Sequence, residues 1–504
     1  MGMVLNTNIP SIQAQRALGE SRKEMELAME RLSTGSRINS AGDDSAGLAI
    51  VERMNTQIRG LNQATRNAND GIALIKTVEN SLVEVSGMLQ RMRELAVQAA
   101  NDTNTSTERA FADNEMTSLQ KEISRVSLNT RYNGAQVLNG SFSAKSLQVG
   151  TEAGETLDFS IGNVEASQLG AYVVDGLTQA AVLGGNSSNT DYSSAVADAD
   201  IKITSSNATR TIDVETTDTA KSVATKINSV AASTQVIAHA KTYAWLYSPT
   251  ANPTISSVGA VQARLTFIGP AGTQTETAAF TLTSNDVSDA IQKINAISAT
   301  TGVQASSTGD SKILLSENNG NNITVVNSSA RTDLDMKAVG IDGTTADSTE
   351  ISLAAASTSS ATDTAVIRGN VKLTSSNDFT VEQLTANEFF TSGTVSAPLV
   401  SVSSVSALTR IQASDALAII DGAIETVSSM RGSLGSLQNR LDYTVSNLLK
   451  VTEFTTAARS RIADADFAAE TARLAKAQVL QQAGASMLSQ ANASTDTVLQ
   501  LLRG

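Results

Sequence analysis

No cysteine occurs anywhere in the 504 residues. Disulfides, thiolate nucleophiles and most structural zinc sites are thereby excluded. The chain has one histidine, His239. No second metal ligand or nucleophile motif stands beside it, so it reads as an incidental residue of a β region rather than a general base. The surrounding His239-Ala-Lys-Thr-Tyr243 lacks the glutamate and second histidine of a zinc metalloprotease helix. Aromatic residues are only 3%, while Ala, Ser, Thr and Asn dominate, which favours close packing of small residues over deep pockets. Positive charge is in deficit, with a formal net charge of −13, which argues against a nucleic-acid partner and for a solvated, self-repelling surface. The start, Met1 to Pro10, has no basic region followed by an apolar one, so no Sec-type signal is expected and any export uses another route. Catalytic, cofactor and metal sites are all expected to be absent. The length points to several domains.

What is present is concentrated at the ends. From Lys476 to Arg503 the only charge between the flanking cations is Asp496. Leu474, Ala477, Gln481, Gly484, Leu488, Ala491, Thr495, Val498 and Leu502 recur at steps of three and four, and Leu480, Ala483, Met487, Ser494 and Leu501 form a second stripe beside them. A helix about 40 Å long with two such faces has more surface to hide than one neighbour covers. Gln478, Gln481, Gln482, Gln490, Asn492 and Gln500 would each need partners in hydrocarbon, so burial in an assembly is preferred to membrane insertion. Near the other end Leu18, Met25 and Leu32 recur every seventh residue, with Ala14 and Ala28 four positions before two of them. Such a helix is marginal alone and predicts pairing with the tail.

Arg37 to Leu48 is rich in turn and cap residues, and Asp43 and Asp44 are expected to cap the following helix. A long seam follows through Leu61, Ala68, Ile75, Val78, Leu82, Val85, Leu89, Met92, Ala96 and Ala99, and a second helix is predicted over Glu108–Asn129. Ser146–Val149 and Thr156–Ile161 read as short strands of a hairpin. Between about Gly170 and Leu399 apolar residues alternate in short runs such as Ile201–Ile203, Thr211–Val214, Leu265–Ile268 and Asn322–Val326. This stretch carries 12 Lys and Arg against 21 Asp and Glu, most of the net negative charge. It contains an internal duplication, Thr219–Asn228 and Asp286–Asn295, each ending Lys-Ile-Asn before a Val-containing strand. Gly184–Ser194 and Gly343–Thr364 read as flexible connections. Heptads return in Leu417, Ile420, Ile424, Val427, Leu434, Leu441, Val445 and Leu448, so the rods before and after the middle can pair.

Both ends resemble the bacterial flagellin family. The resemblance rests on Val4–Ile9, Glu30–Ser40, Asp43–Gly47, Thr65–Ile72 and Gln90–Gln98 in one half, and on Leu437–Arg440, Ala457–Ile462, Asp464–Asp466, Lys476–Gly484 and Thr497–Arg503 in the other. It covers about 1–170 and 405–504. The fold it implies is multidomain α+β, a long antiparallel α-helical coiled-coil or bundle core formed by N- and C-terminal segments, with inserted β-rich outer domains. The expected domains are 1–42 plus 460–504 (terminal helices lining a filament core), 43–175 plus 405–459 (helical rod with β-hairpin) and 176–404 (variable outer region, as two modules of about 176–255 and 256–404). The implied function is that of a non-enzymatic subunit of the extracellular flagellar filament, used for swimming and exported by the flagellar type III system. The implied partners are further copies of the chain in a helical homo-polymer, a secretion chaperone on the C-terminal tail, and the filament cap and hook-associated proteins. Leu18, Met25, Leu32, Leu474, Leu488, Val498 and Leu502 are the expected subunit-packing residues, and Ile75, Leu82, Leu89, Leu434, Leu441 and Leu448 the rod seam. Arg91, Leu95 and Glu115 match positions contacted by a vertebrate innate immune receptor. A hook–filament junction protein and an adhesin acting through 176–404 are the alternatives.

Overall fold

The computed structural model describes residues 8–184, 200–215, 218–248, 262–269, 272–282, 286–309, 312–331, 334–356, 363–384 and 388–503, with side chains as far as residue 493. The helices among the described residues are α1 (Ile9–Thr34), α2 (Ser45–Ala99), α3 (Ser106–Asn129), α4 (Ala220–Ser229), α5 (Ala231–Thr234), α6 (Ser288–Asn295), α7 (Ser298–Thr301), α8 (Arg410–Ala463) and α9 (Phe467–Arg503).

Their limits follow from local chemistry. Helix α1 begins where the Asn8 side chain accepts from the Ser11 amide, and it ends at Gly35, whose φ of 70° is open to glycine without strain. Asp44 accepts from the Gly47 amide at 2.8 Å and starts α2. Asp43 does not join it. Its carboxylate accepts from the Ser40 and Asn39 amides and the Ser40 hydroxyl, tying the preceding turn, and these contacts hold its pKa below the usual aspartate value. A reciprocal capping box between Thr105 and Glu108 opens α3. Thr409 caps α8 and Asp466 caps α9.

The chain divides into two compact units. One comprises the residues up to Lys76, Ala144–Phe159, and those from Gly435 onward. Here α1 lies antiparallel to α9, and the first part of α2 faces the second part of α8, with Leu61, Ala64 and Leu448 as a buried cluster against which Val451 packs. The hairpin of Lys145–Gln148 and Thr156–Phe159 rests on α2, where Asn67 donates to the Gln148 carbonyl at 3.0 Å. A Cβ on Gly71 would come within 2.6 Å of Leu147 and 3.4 Å of Leu441, so glycine permits that close approach.

The other unit comprises Thr77–Ser143 and Ser160–Leu434. Its helical part contains the rest of α2, α3 and the start of α8. Arg93 pairs with Asp421 at 2.6 Å and Glu79 with Arg431 at 2.8 Å across α2 and α8. Its β part is antiparallel throughout the named ladders. A five-stranded sheet runs in the order 274–276, 265–268, 323–327, 364–367, 182–184. An eight-stranded sheet has Ile237–Tyr247 at its branch point, flanked by Ile313–Glu317, Leu334–Val339 and Asn370–Ser375. A four-stranded sheet contains Ile201–Ser205 and Phe379–Gln383.

Among the described residues of the β part, two large apolar cores form beside the smaller cluster of Tyr243, Leu314 and Val339. The first gathers Ile201, Ile203, Val223, Ile227, Ala238, Leu373, Val381 and Phe390. The second, between the five- and eight-stranded sheets, gathers Leu246, Phe267, Ile313, Ile323, Met336 and Ile367. The strand Ile237–Tyr247 belongs to both, giving Ala238 to the first core and Ala244 and Leu246 to the second. The chain thus leaves the first core, builds the second and returns, so the cores are nested in sequence. The expected modules of about 176–255 and 256–404 follow one another in sequence, whereas 370–374 pairs with 237–241 across that boundary. The Gly343–Thr364 stretch also differs from expectation, because Ala346–Leu353 is a strand paired with Leu334–Val339; residues 357–362, like most of Gly184–Ser194, lie outside the described residues.

The duplication folds twice in the same way. Asn228 donates to the Ala238 carbonyl and accepts from its amide, and Asn295 does the same with Ala305. Thr234 and Thr301 each bond back to the carbonyl four residues earlier and cap the amide two residues later. The turn between helix and strand needs a left-handed residue, met by Gln235 (φ 58°) in one copy and Gly302 (φ 75°) in the other.

Candidate assembly surface

The terminal pair is built along one seam. Ser11, Ser21 and Ala28 of α1 are buried, and Leu18, Met25 and Leu32 are half-buried on the same side. Opposite them, Ala477 is buried and Leu474, Gln481, Gly484, Leu488 and Ala491 are half-buried. Helix backbones approach closely because the facing residues are small: a Cβ on Gly484 would sit 3.2 Å from Leu18 Cγ. Polar side chains fix the register. Asn8 donates to the Ala491 carbonyl at 3.1 Å, Ser21 to the Ala477 carbonyl at 3.0 Å, and Ser11 to Asn492 Oδ1 at 3.0 Å. At the other end Arg31 meets Glu470 at 3.3 Å, and Glu470, its side chain 5% exposed, also receives Arg473 at 3.0 Å. The turn after α1 is clasped by Arg37, whose amide and guanidinium both donate to the end of α8.

One stripe of the tail is therefore turned to α1. Among the described residues the second stripe is left open: Met487 is 65% and Leu480 45% exposed, with Val479 at 64% beside them. On α1, Ile9, Ile12 and Met29 are likewise open. Among the described residues no helix is long and apolar enough to cross a membrane. Val498 and Leu502 lie beyond the described side chains.

The six seam residues Ile75, Leu82, Leu89, Leu434, Leu441 and Leu448 all sit in the interior. Arg91, Leu95 and Glu115 do not form one exposed patch. Arg91 and Glu115 are paired at 2.8 Å on the surface, and the Glu115 bond, seconded by Glu94, raises the arginine pKa further. Leu95 is only 2% exposed, because its position on α2 continues the buried face of Met92, Ala96 and Ala99.

Profiles of the bacterial flagellin N-terminal and C-terminal helical regions match residues 5–143 and 417–502. The B-type flagellin of Pseudomonas aeruginosa is 35% identical over 504 residues, covering all of both chains. The chain belongs to the bacterial flagellin family. Other flagellins align over their whole length too, including flagellin B of Vibrio cholerae at 30% and the flagellin of Salmonella choleraesuis at 32%. Among solved structures, FliC from Burkholderia pseudomallei aligns with 73% of this chain and 99% of its own at 18% identity, with a TM-score of 0.30. Membership makes this flagellin a structural protein of the flagellar filament, and the two profiles coincide with the helical segments whose apolar faces have just been described.

Proposed function

We propose that the chain polymerises through its paired terminal helices into the helical flagellar filament used for swimming. The observation that carries this reading is the second tail stripe, Leu480 and Met487 with Val479, left open after α1 has taken the first. Burying apolar surface yields roughly 25 cal/mol per Å², so a face of this kind favours association. A heterologous contact repeated without closure builds a fibre rather than a ring. The acidic 170–399 stretch supplies a surface that stays solvated.

Export through the flagellar type III apparatus, a chaperone on the C-terminal tail, and end contacts with hook-associated and cap proteins complete the proposal. Recognition by a vertebrate innate immune receptor would rest on Arg91 and Glu115, with Leu95 shaping the helix from within; a flat dose-response with purified monomer would refute it.

Two variants test the assembly reading. Deletion of 477–504 leaves a soluble chain unable to grow filaments. Met487→Asp alters only the open stripe, so it leaves monomer helicity intact and abolishes seeded polymerisation seen by electron microscopy. Leu488→Asp also blocks assembly, but it faces α1 and loosens the pair as well. Normal filament yield from Met487→Asp would remove the basis of the proposal.

A further inference from the structure

In a chain with no cysteine, the thioether of methionine is the most readily oxidised side chain left. Eleven methionines are present, of which Met1 and Met3 lie outside the described residues. Met92, Met116 and Met336 are fully buried, and Met25, Met54, Met88 and Met430 are half-buried. Among the described residues only Met29 and Met487 are exposed, and they sit on α1 and α9, the two helices of the terminal pair. Their settings differ. Met29 has Glu26 three positions before it, Glu30 next to it and Ser33 four positions after it, so its part of α1 is already polar. A helical side chain leans back over the turn before it, which for Met487 holds Ala483 and Gly484, with Val479 and Leu480 one turn further. None of those four carries a polar side-chain atom.

We propose that Met487 is a site of oxidative modification by peroxides, and that its sulfoxide stops the free chain from adding to a filament. The inference rests on the reading of the open tail stripe as a polymerising face. The sulfur lone pair attacks one oxygen of hydrogen peroxide and the O–O bond breaks. The departing hydroxide takes the proton from the sulfur-bound oxygen, giving sulfoxide and water; sulfur loses two electrons and the peroxide gains them. A weakly accepting, apolar side chain thereby becomes a polar one with a strong acceptor oxygen. The amides of that turn are used within α9, so burying the oxygen against a second copy leaves it without a donor and weakens association. Burial also works the other way. Once the stripe is covered in the polymer its sulfur is out of reach of peroxide, so oxidation acts on free chains and spares assembled ones.

The test treats full-length monomer with hydrogen peroxide, maps each methionine by peptide mass spectrometry, and compares seeded elongation with an untreated sample of the same variant. Conversion of Met487 should raise the monomer concentration needed for growth roughly tenfold, and methionine sulfoxide reductases should reverse the change. Met29→Leu should stay sensitive to peroxide, whereas Met487→Leu should lose the sensitivity whatever its untreated rate. Filaments given the same dose should keep Met487 reduced. Undiminished growth after full conversion of Met487, sensitivity that persists in Met487→Leu, or a loss that the reductases do not reverse would each overturn the proposal, while the polymerising face itself stands as long as Met487→Asp blocks growth. Normal growth of Met487→Asp would instead remove that face, and this inference with it.

Discussion

The pair Arg31–Glu470 joins opposite ends of the chain, and removing one member should open the terminal helices before anything else. Both side chains are largely buried, at 15% and 5% exposure. Breaking a buried ion pair from one side costs about 3–5 kcal/mol, because the remaining charge keeps its desolvation penalty without its partner. Asp43, 4.0 Å from Arg31, can take over part of the interaction, so the lower figure, about 3 kcal/mol, applies to Glu470→Ala. At 1.4 kcal/mol per decade that is on the order of a 100-fold rise in local opening. Hydrogen exchange of α1 and α9 amides in the full-length monomer measures it, with amides of the buried α2 face as the internal reference. Arg31→Met should behave similarly. Arg31→Met combined with Glu470→Leu should recover most of the protection, since an apolar pair of similar volume carries no unpaired charge. Unchanged protection in the single variants, or a double variant as open as their summed effects, would refute the reasoning.

Other expectations follow from the same structure. Asn228→Ala and Asn295→Ala each delete two hydrogen bonds to a strand residue ten positions on, and should each cost about 2–3 kcal/mol in denaturant unfolding; very unequal losses would deny the equivalence of the two copies. Leu89→Ala, at a fully buried position of α2, should cost about 2–5 kcal/mol and lower the melting temperature without abolishing helicity. For Asp218, burial acts to raise the carboxyl, but Lys226 at 2.6 Å and the Glu215 amide outweigh it and set the pKa below 3.8. The stabilisation is therefore present above that value and lost as pH falls through the depressed one. Carboxyl NMR should place its midpoint below 3.8, and Lys226→Met should bring it back up.

The helical ends were legible because their information is local and periodic. Steps of three and four put Ile75, Leu82 and Leu89 on one face whatever packs there, and Asp44 caps α2 through the amide three residues on, as its place in the turn predicts. Several middle strands, such as Leu265–Ile268, announce themselves by alternation in the same way. The two stripes of the tail could also be counted in advance. Which one faces α1 could not be, since it depends on the small residues opposite and on the Leu18–Gly484 approach.

Nesting of the two β cores was hidden for a related reason. It is decided by strand partners far apart in sequence, such as Lys372 beside His239, and alternation says which residues share a face but not which strand lies next to them. Leu95 shows the limit at a single side chain: Arg93 and Glu94 before it are exposed and charged, yet its place on the turn sends it inward beside Ala96. The ion pairs of Lys241 and Lys372 with Asp415, and the pair of Arg31 with Glu470, have no sequence signature at all. Electrostatic contacts act through space, so sequence determined which charges this chain owns, and only the tertiary structure decided which of them would meet.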